Sequence, residues 1–388
     1  MNSTFSRQLQ EVADLFTQGD TNLGYRRMLD AAMDTADLSI FESTLEFADW
    51  YDQPAEPSEI KSKLSALLEK MDRAGAATHV IADTAILDAS GVFKRYSSGN
   101  FQLSDIHLSL HSGEIIGLVG ENGNGKTTLL RLLGGELAAD SGQLLYNLRR
   151  IKAPYDAYEL RSKLAYVPQR HPVWHGSLME NLQFTAAQYG KKGKSNILWT
   201  EMIIARLGLR PFRKYQWSRI SSGYKMRFEL ARTLLREPEV MLLDEPLANL
   251  DVLAQQIILE DLTYLAQSRS RPMGVILSSQ QLYEVEKIAN RVLFLKNGSP
   301  RMQEHPKATA HIEQSLLIIE LETSASRQVL LDSIASLSLK NISYNGGAYL
   351  LQFNDARFSD VLTLIGKSEL PVKYIRDISQ SSRRFFEA

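Results

Sequence analysis

Gly120-Glu-Asn-Gly-Asn-Gly-Lys-Thr-Thr128 lies between the apolar run Ile115-Ile-Gly-Leu-Val119 and Leu129-Leu-Arg-Leu-Leu133. The first run is short, apolar and bounded by Gly113, which predicts a buried strand. The second continues as a helix until Gly134-Gly135 stops it. The spacing between them is G-x-x-x-x-G-K-[ST], the phosphate-binding loop. Its glycines let the backbone turn N–H groups inward and form an anion cradle at a helix N-terminus. Lys126 then reaches the β- and γ-phosphates and the Thr127 hydroxyl ligates Mg²⁺. A chance Gly-rich turn would lack the flanking strand and helix, so the loop implies a nucleoside triphosphate.

Downstream, Ala165-Tyr-Val-Pro-Gln169 reads as a short strand ending in a polar amide. Residues 171–219 are mostly helical in pattern. Ser177-Leu-Met-Glu180 has capping-box spacing, Gly190-Lys-Lys-Gly-Lys194 is a basic loop, and a second helix over 197–207 closes at Gly208. Ile220-Ser-Ser-Gly-Tyr-Lys-Met-Arg227 leads into a helix that Pro238 ends. Glu239-Val-Met-Leu-Leu-Asp-Glu245 is an apolar strand ending in two carboxylates. Acids often mark where a strand meets solvent. Beside a phosphate loop, the same pair is placed to serve a Mg²⁺ site through Asp244 and a general base through Glu245. Pro272-Met-Gly-Val-Ile-Leu-Ser-Ser279 is a further strand, followed by Gln280. Upstream, Ala85-Ile-Leu87 and Phe101-Gln-Leu-Ser-Asp-Ile-His-Leu-Ser-Leu110 read as strands around the turn 97–100. Phe93-Lys-Arg-Tyr96 offers an aromatic to stack on a base.

The flanks differ from this centre. Residues 1–75 predict three or four amphipathic helices and carry a net charge of −7, leaving +6 for the remainder. An acidic surface of that kind either docks on a basic partner or is simply solvated. Residues 312–388 follow the order βαββαβ, with a hairpin around Asn345-Gly-Gly347. That is the order of a ferredoxin-like module without an evident catalytic residue, which implies regulation or docking. The whole chain of 388 residues, with net charge −1, argues against general nucleic-acid binding. With no cysteine, it can build no disulfide, thiolate metal site or Fe–S cluster. No apolar run reaches the roughly 20 residues of a membrane span, no signal-peptide core opens the chain, and the expectation is a soluble, cytoplasmic protein. The seven histidines form no metal-ligand cluster in sequence.

Taken together, residues 80–305 resemble the ATP-binding cassette (ABC) ATPases, whose motifs occur here in order and at family spacing. The resemblance implies an α/β P-loop NTPase fold, with a helical subdomain at 171–219 between the helical module 1–75 and the ferredoxin-like domain 312–388. It implies that Gly120, Glu121, Asn122, Gly123, Asn124, Gly125, Lys126, Thr127 and Thr128 line ATP, with Tyr96 against the adenine. Gln169 would be the Q-loop glutamine, touching Mg²⁺ beside Thr127 and Asp244. Glu245 would be the catalytic base, and Gln280 stands where the family usually has the switch histidine. Ser221, Ser222 and Gly223 occupy the signature, and Asp251 closes the D-loop; these would meet ATP held by the opposite subunit. Two motifs depart from the pattern: the signature reads Ser222 for glycine and Tyr224 for glutamine, and Gln280 replaces histidine. The implied function is an ATPase subunit that dimerises around ATP with Mg²⁺ and drives a separate membrane permease from the inner face of the cell membrane. The ending of the tail is similar to extensions of export-type subunits. A soluble member of the superfamily or a weakly hydrolysing ATP-gated scaffold are the alternatives. Translation-type members carry two cassettes and repair-type members a long coiled coil, and neither occurs in this sequence.

Overall fold

The computed structural model describes residues 3–54, 56–77, 84–96, 101–149, 151–304, 316–345, 347–354 and 356–379. The turn at 97–100, Gly346, His79, His305, His311 and the end of the tail lie outside the described residues. The chain divides into two compact units, 1–302 and 303–388.

The first unit opens with four helices: α1 (Ser3–Gln18), α2 (Thr21–Thr35), α3 (Leu38–Tyr51) and α4 (Pro57–Ala74). Asp37 caps α3 by accepting from the Ser39 N–H at 2.7 Å, and Pro57 starts α4 where its missing N–H costs nothing. Gly24 lets α1 and α2 touch: a Cβ there would lie 2.7 Å from the Phe16 ring. Phe47 stacks on Tyr51, Tyr51 on Tyr25, and Phe16 meets Tyr51 edge-on, fastening α1, α2 and α3.

Two sheets follow. β1 (Leu87–Arg95), β2 (Gln102–Leu110) and β4 (Ser141–Tyr146) form an antiparallel sheet in the order β2-β1-β4. β1 runs well past the predicted Ala85–Leu87 segment, because a bulge between Ala89 and Val92 breaks its alternation and hides it in the sequence. β3 (Ile115–Val119) is buried at all five residues and enters α5 (Lys126–Leu133), which ends at Gly134 as expected. Next come α6 (Ala157–Lys163), β5 (Leu164–Val167), α7 (Leu178–Gln188), α8 (Gly193–Arg206), α9 (Ser222–Leu234), β6 (Val240–Leu243) and α10 (Val252–Ala266). The unit closes with β7 (Gly274–Ser279), α11 (Leu282–Val285), β8 (Arg291–Lys296) and β9 (Ser299–Glu304). The second sheet has the order β5-β6-β7-β3-β8-β9, parallel from β5 to β8, so the C-terminal ends of β3, β5, β6 and β7 share one edge. Ligands of open α/β sheets bind at that edge.

One hydrophobic core lies between this sheet, α5 and the antiparallel sheet. The other joins the opposite sheet face, α7–α10 and the four N-terminal helices without a break. The N-terminal helices dock chiefly on α8. Phe41 meets Trp199 edge-on at 4.7 Å, Lys194 pairs with Glu42 at 2.8 Å, and Arg210 pairs with Asp49 and Asp52. Arg206, 2 % exposed, binds Asp30 of α2 and, at 2.6 Å, Asp261 of α10. Burial works against its charge, but the two carboxylates outweigh it and push the guanidinium above its already high range. Part of the acidic N-terminal surface therefore meets basic residues of the same chain. These contacts also explain why α8 begins at Gly193, inside the expected basic loop: Lys191 lies over Trp199 and Lys194 is held by Glu42.

The second unit contains β10 (Leu316–Thr323), α12 (Arg327–Ser333), β11 (Leu339–Asn345), β12 (Ala348–Asn354), α13 (Phe358–Lys367) and β13 (Val372–Asp377). Its antiparallel sheet has the order β11-β12-β10-β13. Ile319 and Leu321 alternate along β10, Leu351 and Phe353 along β12, and all four pack on one face against Leu330 of α12 and Val361 of α13.

Candidate functional site

The phosphate loop turns from β3 into α5 through Gly125, at φ 100°, where a Cβ would lie 2.5 Å from the Phe101 ring. Only glycine fits both conditions. Asn124 braces the loop by accepting from the Asn297 N–H at 3.0 Å. Gly120, Glu121, Asn122, Gly123, Thr127 and Thr128 complete the strand–loop–helix turn. Lys126 is 5 % exposed. Its Nζ donates to the Gly120 carbonyl at 2.7 Å and the Glu121 carbonyl at 3.3 Å, and lies 3.2 Å from Glu245 Oε1. The Tyr96 hydroxyl is 3.3 Å from Thr128 Oγ1, which puts the ring beside the first turn of α5.

β6 delivers the two carboxylates. Asp244 follows Leu243, which pairs with Val167 and Leu277, so Asp244 emerges between β5 and β7. Its Oδ2 accepts from Thr127 Oγ1 at 2.7 Å and from the Tyr166 hydroxyl at 3.1 Å, and its Oδ1 accepts from Ser278 Oγ at 2.9 Å. Burial, and then Asp244, push the Tyr166 phenol well above its usual range, so it stays a donor. Glu245 has φ 49°, a left-handed conformation that is costly for this residue type and bends its side chain back toward the loop. Its carboxylate accepts from Gln169 Nε2 at 2.8 Å and from Gln280 Nε2 at 2.8 and 3.0 Å, while its N–H donates to Ser278 Oγ. Lys126, Gln169 and Gln280 thus converge on one carboxylate at the shared sheet edge.

Tyr166 and Ser278 are absent from the sequence-based set. Their signal is positional: each is a hydroxyl near the end of an apolar strand adjacent to β6. The signature borders this cluster: Ser222 lines a cavity of about 110 Å³ together with Gln169, Asp244, Glu245 and Asn249. Ser222 Oγ donates to the Asn249 carbonyl at 3.0 Å, and Asp251 caps α10 by accepting from the Ala254 N–H at 2.9 Å. Ser221 is the exposed N-cap residue of α9, and Gly223 follows in its first turn, close to Ala254. Tyr224, the other signature departure, packs on Phe212 with ring centroids 4.0 Å apart and lies under Arg227, so it serves the helical subdomain's packing.

Among the described residues no three His, Cys, Asp or Glu side chains gather as a metal cage. The donor set that does exist, the Thr127 hydroxyl, the Asp244 carboxylate and the nearby Gln169 amide, consists of hard oxygens beside a phosphate cradle. Such a set suits Mg²⁺, which keeps waters and phosphate oxygens as its other ligands.

The family described as "ABC transporter" matches residues 103–248. The lipoprotein-releasing system ATP-binding protein LolD of Idiomarina loihiensis is 33 % identical over 222 residues, covering 55 % of this chain and 96 % of that protein. The methionine import ATP-binding protein MetN of Latilactobacillus sakei is 28 % identical over 267 residues, covering 66 % of this chain and 77 % of that protein. Among solved structures, cbiO1 of Clostridium perfringens, part of the ABC transporter complex cbiONQ, superposes with a TM-score of 0.53 at 25 % identity. That match covers 59 % of this chain and 91 % of cbiO1. The chain belongs to the ATP-binding subunits of ABC transporters, ATPases that take ATP with Mg²⁺ and work as paired subunits on a membrane permease.

Proposed function

We propose that this subunit hydrolyses ATP with Glu245 as the general base and drives export through its permease. The observation that carries the mechanism is the convergence of Lys126, Gln169 and Gln280 on Glu245, beside the Thr127–Asp244 pair. Lys126 binds the β- and γ-phosphates, exchanging its loop carbonyls for phosphate oxygens. That exchange frees Glu245 to take a proton from the attacking water. Gln169 and Gln280 orient the carboxylate, and Gln280 offers an amide N–H to the γ-phosphate. Thr127, Asp244 and Gln169 would hold Mg²⁺, which would supply positive charge against the developing charge on the phosphates. Tyr96 packs against the adenine, and Ser221, Ser222, Gly223 and Asp251 face ATP on the partner subunit. Lys126→Ala should abolish ATP hydrolysis while circular dichroism shows a folded chain. Activity near that of the parent protein would sink the assignment.

The module boundaries at 75, 80, 305 and 312 belong to the same proposal, with the tail regulating or docking. The peripheral inner-face location also belongs to it; among the described residues no helix is long and apolar enough to cross a membrane. The lean toward export rests on the βαββαβ tail and on relatives of the lipoprotein-releasing kind; others of comparable similarity are named as importers. The permease should meet the face of the helical subdomain that the N-terminal helices leave open, where Val173 is 71 % and Phe184 62 % exposed. Cross-linking from Phe184 in native membranes should capture an integral membrane protein. Cross-links confined to ribosomal or DNA-bound proteins would favour a non-transport ATPase.

A further inference from the structure

Ser222, one of the residues by which this signature departs from the family pattern, donates its hydroxyl to the Asn249 carbonyl at 3.0 Å. The bond crosses from α9 to the loop that carries Asp251. That loop begins at Glu245, with φ 49°, and includes Asn249, with φ 61°. Such left-handed conformations are costly, more so for Glu than for Asn, and persist only where neighbouring groups hold them. The loop's other bonds are supplied locally. The Ala248 N–H donates to the Glu245 carbonyl at 3.1 Å, and Gln255 Nε2 of α10 donates to the Leu247 and Leu250 carbonyls at 3.3 Å. Ser222 is the donor that comes from the signature helix. The two backbones also approach closely there. A Cβ on Gly223 would lie 3.2 Å from the Cβ of Ala254, whose N–H donates to the capping Asp251. A hydroxyl has one proton. While that proton goes to Asn249, Ser222 presents only lone pairs to an approaching phosphate.

We propose that Ser222 is a positioning residue for hydrolysis: its hydroxyl straps the D-loop to the signature helix and so fixes the turn on which Glu245 sits. Ser221 and the Gly223 backbone are left to meet the phosphate held by the partner subunit. The serine in place of glycine then has a use, because glycine would leave the Asn249 carbonyl without this donor. The effect on turnover rests on the reading of Glu245 as the base; the strap itself does not.

The test compares the full chain with Ser222→Ala and with Ser222→Thr, which keeps the hydroxyl. In the nucleotide-free protein, Ser222→Ala should speed hydrogen exchange of the backbone amides at 248–250, and Ser222→Thr should restore the parent rate. At saturating ATP and Mg²⁺, kcat of Ser222→Ala should fall roughly two- to tenfold, the size of one hydrogen bond. KM for ATP should stay, because the phosphate loop is untouched, and Ser222→Thr should recover most of the lost rate. Slower turnover with unaltered exchange would mean that the hydroxyl acts on phosphate directly, and overturns the strap. Faster exchange with unaltered kcat overturns the positioning role. Equal losses in both variants would assign the effect to the shape of the helix start and overturn it as well. If Glu245→Gln hydrolyses ATP like the parent protein, the reading of Glu245 as the base fails, and the exchange measurement still decides the strap.

Discussion

Ser278 follows Leu277, whose pairing with Leu243 sets the serine beside Asp244. One hydroxyl donates to Asp244 Oδ1 and accepts from the Glu245 N–H, so it fixes both carboxylates and steadies the left-handed Glu245 backbone. Ser278→Ala removes both bonds. Groups that orient metal-binding carboxylates typically contribute about 10–100-fold in activity or metal affinity. The variant should lose turnover within that range and need more Mg²⁺ for half-maximal rate. An unchanged Mg²⁺ dependence would mean that Thr127 and Tyr166 hold Asp244 without help. His171, two residues past Gln169, titrates in a different setting. Burial holds its imidazole below the ordinary value, with Glu229 opposing the shift and Arg232 and Lys225 adding to it. Below about pH 6.5 the unfolded chain takes up a proton that the folded chain resists, so this residue makes stability fall as pH falls. His171→Gln should flatten that part of the stability curve in urea melts between about pH 7 and 5, and an identical slope would assign the effect elsewhere.

At the scale of elements, the buried Arg206 joins α8 to α2 and α10, whereas Arg210 pairs with the exposed carboxylates of Asp49 and Asp52. Removing one member of a buried charge network leaves its partners uncompensated, at a cost of about 3–5 kcal/mol. Pairs with exposed acids contribute about 0–1 kcal/mol. Arg206→Met should therefore lower unfolding stability in urea far more than Arg210→Met, and equal losses would show that packing, not charge, joins these helices. The acidic excess of the N-terminal segment is visible in the sequence, but its partner is not, since Arg206 lies 176 residues from Asp30. The same limit explains the rest of the site. The G-x-x-x-x-G-K-[ST] spacing from Gly120 to Thr127 prescribes a local backbone, and Asp244 and Glu245 end a recognisable apolar strand, so these are legible. Tyr166 and Ser278 matter because β5 and β7 flank β6, a pairing that no local pattern encodes. β4 escapes a reading by period because its exposed, partly polar residues lack alternation. The tail is legible to the order of its elements because each has its own period and the hairpin its turn.

For the molecule as a whole, the proposed mechanism needs a second subunit to bring the signature to the phosphate loop. Ser221 is exposed at the start of α9, and Val252 and Leu253, 68 % and 66 % exposed, stand beside Asp251 at the start of α10. A polar helix start flanked by an exposed apolar pair is suited to a partner surface. ATP should fill the gap between two such faces and stabilise the closed dimer, because a ligand that binds one state preferentially shifts the equilibrium toward it. Glu245→Gln retains an acceptor for the two glutamine amides but removes the proposed base, so ATP should stay bound and uncleaved. That variant should dimerise with ATP and Mg²⁺ in size-exclusion chromatography with light scattering, and Ser221→Arg should weaken the dimer by placing a bulky side chain at the contact. Gln280→His bears on the rate. A general acid–base group typically contributes about 10²–10⁴-fold, but Gln280 already donates to Glu245 through its amide. The gain in turnover should therefore be smaller, roughly several-fold. A Glu245→Gln protein that remains monomeric at saturating ATP would argue against self-pairing and point to a different ATPase chain as the second half of the site.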